Sequence, residues 1–146
     1  EKEEILEYYF LNISSPSILC IHFISCFEKS KSERIVLNIS SGAGKYPIHS
    51  WSTYCASKAA LDMLSQVLKL EYPEFKIYSV APGIVDTAMQ EKIREADKAD
   101  FPDVDRFISY KEDGELASAE IVAQKYVDFL NNYSKYSDTL YSLRDL

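Results

Sequence analysis

Basic residues, paired cysteines and long apolar runs are all scarce in this 146-residue chain. Lys and Arg number 16 against 23 Asp and Glu, a formal net charge of -7. That deficit excludes a nucleic-acid surface, because phosphate contacts need clustered cations. The three cysteines, Cys20, Cys26 and Cys55, form no CxxC pair and no Cys/His metal spacing, so neither a metal site nor a disulfide framework is expected. They read as buried thiols in a reducing compartment, the cytoplasm. The most apolar run, Ile18 to Phe27, is broken by His22 and falls short of the ~20 residues a membrane span needs. No membrane partner is expected. GxSxG is absent, which removes a serine-hydrolase nucleophile elbow. The acidic residues between 86 and 115 lack metal-ligand spacing and read as a solvated surface.

What is present is an alternation of helical and strand-like segments, within a length that suits one domain. A helical pattern runs from Glu4 to about Lys29, with Pro16 marking a turn or bend and Leu11, Ile18, Leu19, Phe23, Ile24 and Phe27 as its buried side. His22 falls on this apolar face and reads as a core residue. "RIVLNIS" (34–40) and "FKIYSVAP" (75–82) are short apolar runs of the kind found in buried parallel strands. A helix from about Ser52 to Glu71 separates them and stops before Pro73. Further on, helix is expected around Met89 to Ala99. An amphipathic helix begins after Ser118, with Ile121, Val122, Tyr126 and Leu130 on one face, and "DTLYSL" suggests a last strand. The pattern is that of an α/β domain with a parallel sheet.

Ligands of such sheets bind at the carboxyl ends of the strands. That rule selects the loops carrying Ser40-Ser41 and Pro82-Gly83. Near the first, "STYCASKAALDML" (52–64) places Tyr54 and Lys58 one helical turn apart on one face. A free phenol titrates near 10 and is a sluggish proton donor at neutral pH. An ammonium about 4 Å away, at an effective dielectric of ~20, is worth roughly 4 kcal/mol, or about three pKa units. That shift brings a tyrosine into the range of general acid–base catalysis. The pair alone is common by chance. Ser41, thirteen residues before Tyr54, adds a hydroxyl that can donate to a carbonyl oxygen developing negative charge.

"RIVLNISSGAG", "YCASKAAL" and "YSVAPGIVDTAM", in that order and spacing, resemble the short-chain dehydrogenase/reductase family. The resemblance implies a Rossmann-type doubly wound parallel sheet, of which residues 1–146 form the second, catalytic half of a single domain. It implies an NAD(P)H-dependent reduction of a ketone or vicinal dicarbonyl, with NADPH preferred over NADH. Tyr54 would be the proton donor, Lys58 would lower its pKa and bind the nicotinamide ribose, and Ser41 would polarise the carbonyl. Asn12 resembles the family's fourth catalytic residue, which holds a relay water; the alternative is a helix-bend asparagine bonding its own backbone. Pro82, Gly83, Val85 and Thr87 would line the nicotinamide site, although Asp86 or Thr87 can equally cap the helix that follows. The family's dimer interface implies a homodimer through the helices at 4–29 and 52–71. "GIVDTAMQEKIRE" and "ISYKEDGELASAEIVAQK" are most similar to the sepiapterin and benzil reductase branch. Ser142, with Asp145 nearby, stands where sepiapterin reductases carry a pterin-anchoring aspartate.

The glycine count sets a limit. Among Gly42, Gly44, Gly83 and Gly114, none opens a strand–turn–helix cradle for a pyrophosphate, so the adenosine-binding half is expected to lie outside this sequence. A non-catalytic binding or scaffold protein of the same fold, or an inactive fragment, is the alternative to a reductase.

Overall fold

The computed structural model describes residues 2–146. Helix α1 (Lys2–Tyr9) passes through a π-helical turn (Phe10–Ser14) into α2 (Ser15–Phe27). Strand β1 (Ile35–Ile39) leads through a 3-10 turn (Gly42–Gly44) to α3 (Ser52–Glu71) and β2 (Lys76–Ala81). Then come α4 (Ala88–Arg94), α5 (Val104–Glu112), α6 (Ala119–Asn131), a 3-10 turn (Tyr133–Lys135) and β3 (Leu140–Ser142). The strands form one parallel sheet in the order β1-β2-β3, with Ile35 opposite Lys76 and Ser79 opposite Leu140. This is the α/β, doubly wound parallel architecture expected from the sequence. A second helix in the 86–115 stretch, α5, was not anticipated there.

Strand pleating sends alternate side chains of β2 to opposite faces. Phe75 and Ile77 pack with Cys20, Ile24 and Leu68 on the α2–α3 side. Tyr78 and Val80 pack with Val122, Phe129 and Leu143 on the α6 side. Phe75, Ile77 and Val80 lose all solvent contact, which contributes about 1.5–3 kcal/mol for each such side chain.

The first helix departs from its expected amphipathic reading. Only Cys20 and Ile24 of α2 are buried, whereas Leu11, Ile18, Leu19 and Phe27 face outward. His22 is also exposed and lies 3.6 Å from the exposed Cys26 thiol, so neither is a core residue. Pro16 does not break the helix. It occupies the first turn of α2, where a missing N–H is tolerated. The joined helix Lys2–Phe27 has 26 residues and a mean hydropathy of 1.5 over its most apolar window, long and apolar enough by composition to cross a membrane. Counting only the run after Pro16 understated it. On α6, Val122 and Phe129 are the buried residues, while Ile121 and Leu130 are exposed.

Candidate active site

At the carboxyl edge of the sheet, β1 and β2 deliver their following loops to a common cavity of about 820 Å3. Ser41, Tyr54, Pro82, Gly83, Val85 and Thr87 all line it. Sequence separation of up to 46 positions between Ser41 and Thr87 is thus closed by the parallel register of two strands.

Ser41 is extended (φ -154°, ψ 151°), and its Oγ accepts the N–H of Ala43 at 3.2 Å, which opens the 3-10 turn. Tyr54 lies in the first turn of α3. Trp51 stands edge-on to its ring at 5.5 Å between centroids and is itself stacked on Phe101 at 5.6 Å. These contacts fix the phenol beside the loop of Ser41.

Lys58 stands one turn behind Tyr54. Its Nζ is 5.9 Å from the centre of the phenol ring and donates to the carbonyl of Ile39 at 3.0 Å. Lys58 is therefore near Tyr54 but does not itself line the cavity. Burial pushes its pKa down from the ordinary lysine value, and the Asp62 charge opposes that shift. Tyr8, from α1, meets Ser57 and Tyr54, and burial raises its phenol pKa. Nothing in the sequence pattern singled it out.

Asn12 sits in the π-helical turn, and its Nδ2 donates to the carbonyl of Tyr8 at 3.0 Å. The self-bonded alternative describes its side chain, and Asn12 is not among the residues lining the cavity. Its main-chain carbonyl is a different matter. The α-helical partner of that oxygen would be the N–H of residue 16, which is proline and has none.

The loop after β2 turns at Gly83, whose φ of +86° favours glycine. A Cβ there would also come 2.7 Å from Cγ of Arg144. Val85 pairs with Ala117 in a parallel bridge that uses the carbonyl of Ile84 and the N–H of Asp86. Val85's own peptide groups consequently point to the other edge. Thr87 occupies the N-cap of α4, but its side chain makes no capping hydrogen bond, and Asp86 pairs with Lys111 at 2.6 Å. The donor set of Val85 and Thr87 fits the carboxamide end of a nicotinamide. No glycine-opened pyrophosphate cradle exists among the described residues.

The cavity also receives Ser142, Arg144 and Asp145 from the end of the chain and Arg106 and Tyr110 from α5. Gln90 lines it too, and its Oε1 is buried without a hydrogen-bond partner among the described residues. No cluster of metal-ligating side chains occurs among the described residues. His49, a loop histidine, is exposed and bonded to Ser50.

The parallel α/β sheet thus brings Ser41 and Tyr54 to a cavity at its carboxyl edge, with Lys58 one turn behind. The family profile described as short chain dehydrogenase matches residues 1–98. The chain belongs to the short chain dehydrogenase family. It is 43% identical over 129 residues to benzil reductase ((S)-benzoin forming) of Bacillus cereus, covering 85% of this chain and 51% of that protein. Sepiapterin reductase of Xenopus tropicalis is 35% identical over 132 residues, covering 89% and 50% respectively. Among solved structures, the KRED1-Pglu enzyme superposes with a TM-score of 0.80 at 32% identity, over 90% of this chain and 55% of that one. A short chain dehydrogenase/reductase from Saccharomyces cerevisiae gives 0.81 at 29% identity, over 98% and 58%. The chain spans about half the length of the curated relatives it matches.

Proposed function

We propose that residues 1–146 form the catalytic, C-terminal portion of an NADPH-dependent carbonyl reductase acting on ketones or vicinal dicarbonyls. The observation that carries this reading is the convergence of Ser41, Tyr54 and the 82–87 loop on one cavity. Pro82, Gly83, Val85 and Thr87 would hold the nicotinamide, which when bound would supply the hydride for the carbonyl carbon. Ser41 donates its hydroxyl hydrogen to the carbonyl oxygen and fixes its direction. Tyr54 gives that oxygen its proton as negative charge develops. Lys58, behind the ring, offsets the phenolate charge this leaves and binds the ribose. Lys58 returns a proton to the Tyr54 phenolate, and a water on the carbonyl of Asn12 would carry the replacement proton to Lys58 from solvent. The aromatic wall of Trp51, Phe107 and Tyr110 favours an aryl group beside the reacting carbonyl.

Three unpaired thiols suit a reducing cytoplasm. The uncovered apolar side of α1 and α2 suits burial against a second copy, giving a homodimer.

The complete polypeptide containing this chain is to be assayed with NADPH and a panel of vicinal dicarbonyls, beside Tyr54→Phe. Turnover by the wild type that collapses in the variant supports the mechanism. Equal turnover in both removes Tyr54 from it, and no turnover on any substrate favours a non-catalytic binding or scaffold role.

A further inference from the structure

Asp62 is a carboxylate buried at the sheet's active edge, and no part of the proton-transfer scheme uses it. It stands one helical turn beyond Lys58 on α3 and is 6% exposed. Its Oδ1 accepts two hydroxyl hydrogen bonds, from Ser40 at 2.5 Å and from Ser79 at 2.6 Å. Both serines are themselves buried, at 4% and 1% exposure. Ser40 immediately precedes Ser41, and Ser79 lies on β2, where the row Phe75, Ile77, Ser79 faces α3. One carboxylate oxygen therefore ties the end of β1 to the end of β2. The other oxygen faces the far side of the same loop. A Cβ on Gly44 would lie 2.9 Å from Oδ2 and 3.0 Å from the carbonyl carbon of Lys58. The loop from Ser40 to Gly44, with Ser41 inside it, is thus bonded to Asp62 just before the serine and packed closely against it at Gly44.

Burying a carboxylate is costly unless it is hydrogen-bonded and compensated. Two hydroxyl donors satisfy Oδ1, and Lys58, one helical turn earlier on α3 and bonded to the carbonyl of Ile39, is a cation that feels the Asp62 charge. The other titratable groups around the pair are Tyr54 and Cys55 on α3 and Tyr8 from α1, which interacts with both. None of these brings a positive charge. A buried anion next to a desolvated ammonium stabilises its protonated form.

We propose that Asp62 is a positioning residue, setting Ser41 through the Ser40–Asp62–Ser79 bridge and standing one helical turn from Lys58 on α3 as its counter-charge. The inference rests on the assignment of Ser41, Tyr54 and Lys58 as the working groups. A buried polar bridge with a purely structural role would affect stability alone. This one is expected to affect the titration of Lys58 and kcat.

The test uses the complete polypeptide, with benzil and NADPH as the probe reaction. Asp62→Asn keeps an acceptor oxygen for the serines and removes the charge. The Lys58 titration, followed by NMR of its labelled Cε, is expected to move to lower pH by about one unit, and the alkaline limb of kcat to move with it. Ser79→Ala keeps the charge and loosens the bridge. Its kcat is expected to fall about tenfold or more, with the alkaline limb unmoved. An unchanged Lys58 midpoint in Asp62→Asn overturns the charge role. A lowered melting temperature in Ser79→Ala with kcat at the wild-type value overturns the positioning role, and it decides the matter if Asp62→Asn fails to fold. The Lys58 titration decides alone if benzil is not turned over. Tyr54→Phe run in parallel separates the two failures. If it is inactive while the Asp62 and Ser79 variants behave as wild type, only Asp62 loses its role.

Discussion

The ammonium of Lys58 donates to the carbonyl of Ile39 at 3.0 Å, tying the helix that carries Tyr54 to the last residue of β1. The bond places a half-buried cation at the edge of the sheet, and burial lowers its pKa. The proposed reductase activity is therefore expected to fall as pH rises through a value below the ordinary lysine pKa of about 10.4. The sign for stability follows by linkage. A folded pKa below the unfolded one means that the folded form binds fewer protons between the two values. Lys58 then supports the fold above its unfolded pKa, and that support is lost as pH falls through the folded pKa. Lys58→Met should lower turnover, and because it also removes the cation near the buried Asp62 and the bond to Ile39, no gain in melting temperature is expected. A kcat profile that stays level past about pH 10.4 removes the charged lysine from the mechanism.

Tyr54→Phe is expected to lower kcat by about 100-fold or more, the usual scale for a positioned proton donor. The ring contacts with Trp51 survive the substitution. A near-native circular dichroism spectrum should accompany the loss. Loss of the spectrum as well would assign Tyr54 to packing.

The strand-like runs 34–40 and 75–82 stood out in the sequence because buried parallel strands are continuous and apolar. The Tyr54–Lys58 pair stood out because helical spacing is local. The residues that hold these groups in place were harder to read. Ser40, Asp62 and Ser79 meet only through strand register and a helix packed on it, and each alone is an ordinary polar residue. Asn38 and Ser65 behave alike, bonded at 2.9 Å across the same interface. The alternation of Val36, Asn38 and Ser40 on one strand face was a usable signal, since small polar residues in a buried row need partners on the facing helix. The outer side of the first helix misled for the opposite reason. Apolar residues occur all round it, so periodicity could not select the face that meets the sheet.

Gly44→Ala tests how closely the Ser41 loop lies on α3. The added methyl carbon would sit 2.9 Å from Asp62 Oδ2 and 3.1 Å from the carbonyl oxygen of Lys58. Backbone on one side leaves little room to yield. A destabilisation of about 1–3 kcal/mol is expected, the usual cost of overpacking. The displaced loop should also reduce kcat more than it raises KM. A variant with wild-type melting and turnover would mean that the loop rides free of the helix.

Leu11 in the π-helical turn, Leu19 on α2 and Leu70 on α3 expose 69%, 67% and 82% of their surface. Large apolar side chains this exposed suit an interaction face. In a homodimer the two copies bury it against each other, and Leu19→Glu is expected to give monomers by light scattering at micromolar concentration. A wild type that is already monomeric, and that sediments with lipid vesicles, would assign the face to a membrane instead.

The last expectation concerns residues 1–146 expressed by themselves. Tight dinucleotide binding draws much of its strength from the pyrophosphate, which requires backbone N–H donors at a helix N-terminus. The described residues place Val85 and Thr87 on the cavity, where the proposed nicotinamide end would sit, and offer no glycine-opened turn of that kind. β1 pairs with β2 on one side, and its other edge has no partner strand among the described residues, with Ile39 48% exposed. An unpaired parallel edge is a template for pairing with another chain. The isolated segment should therefore bind NADPH weakly or not at all, show no reductase activity and aggregate as its concentration rises. Fluorescence titration with NADPH checks the first point and light scattering the last. Tight binding to a soluble, active segment would place a complete cofactor site within these residues and overturn the division into halves.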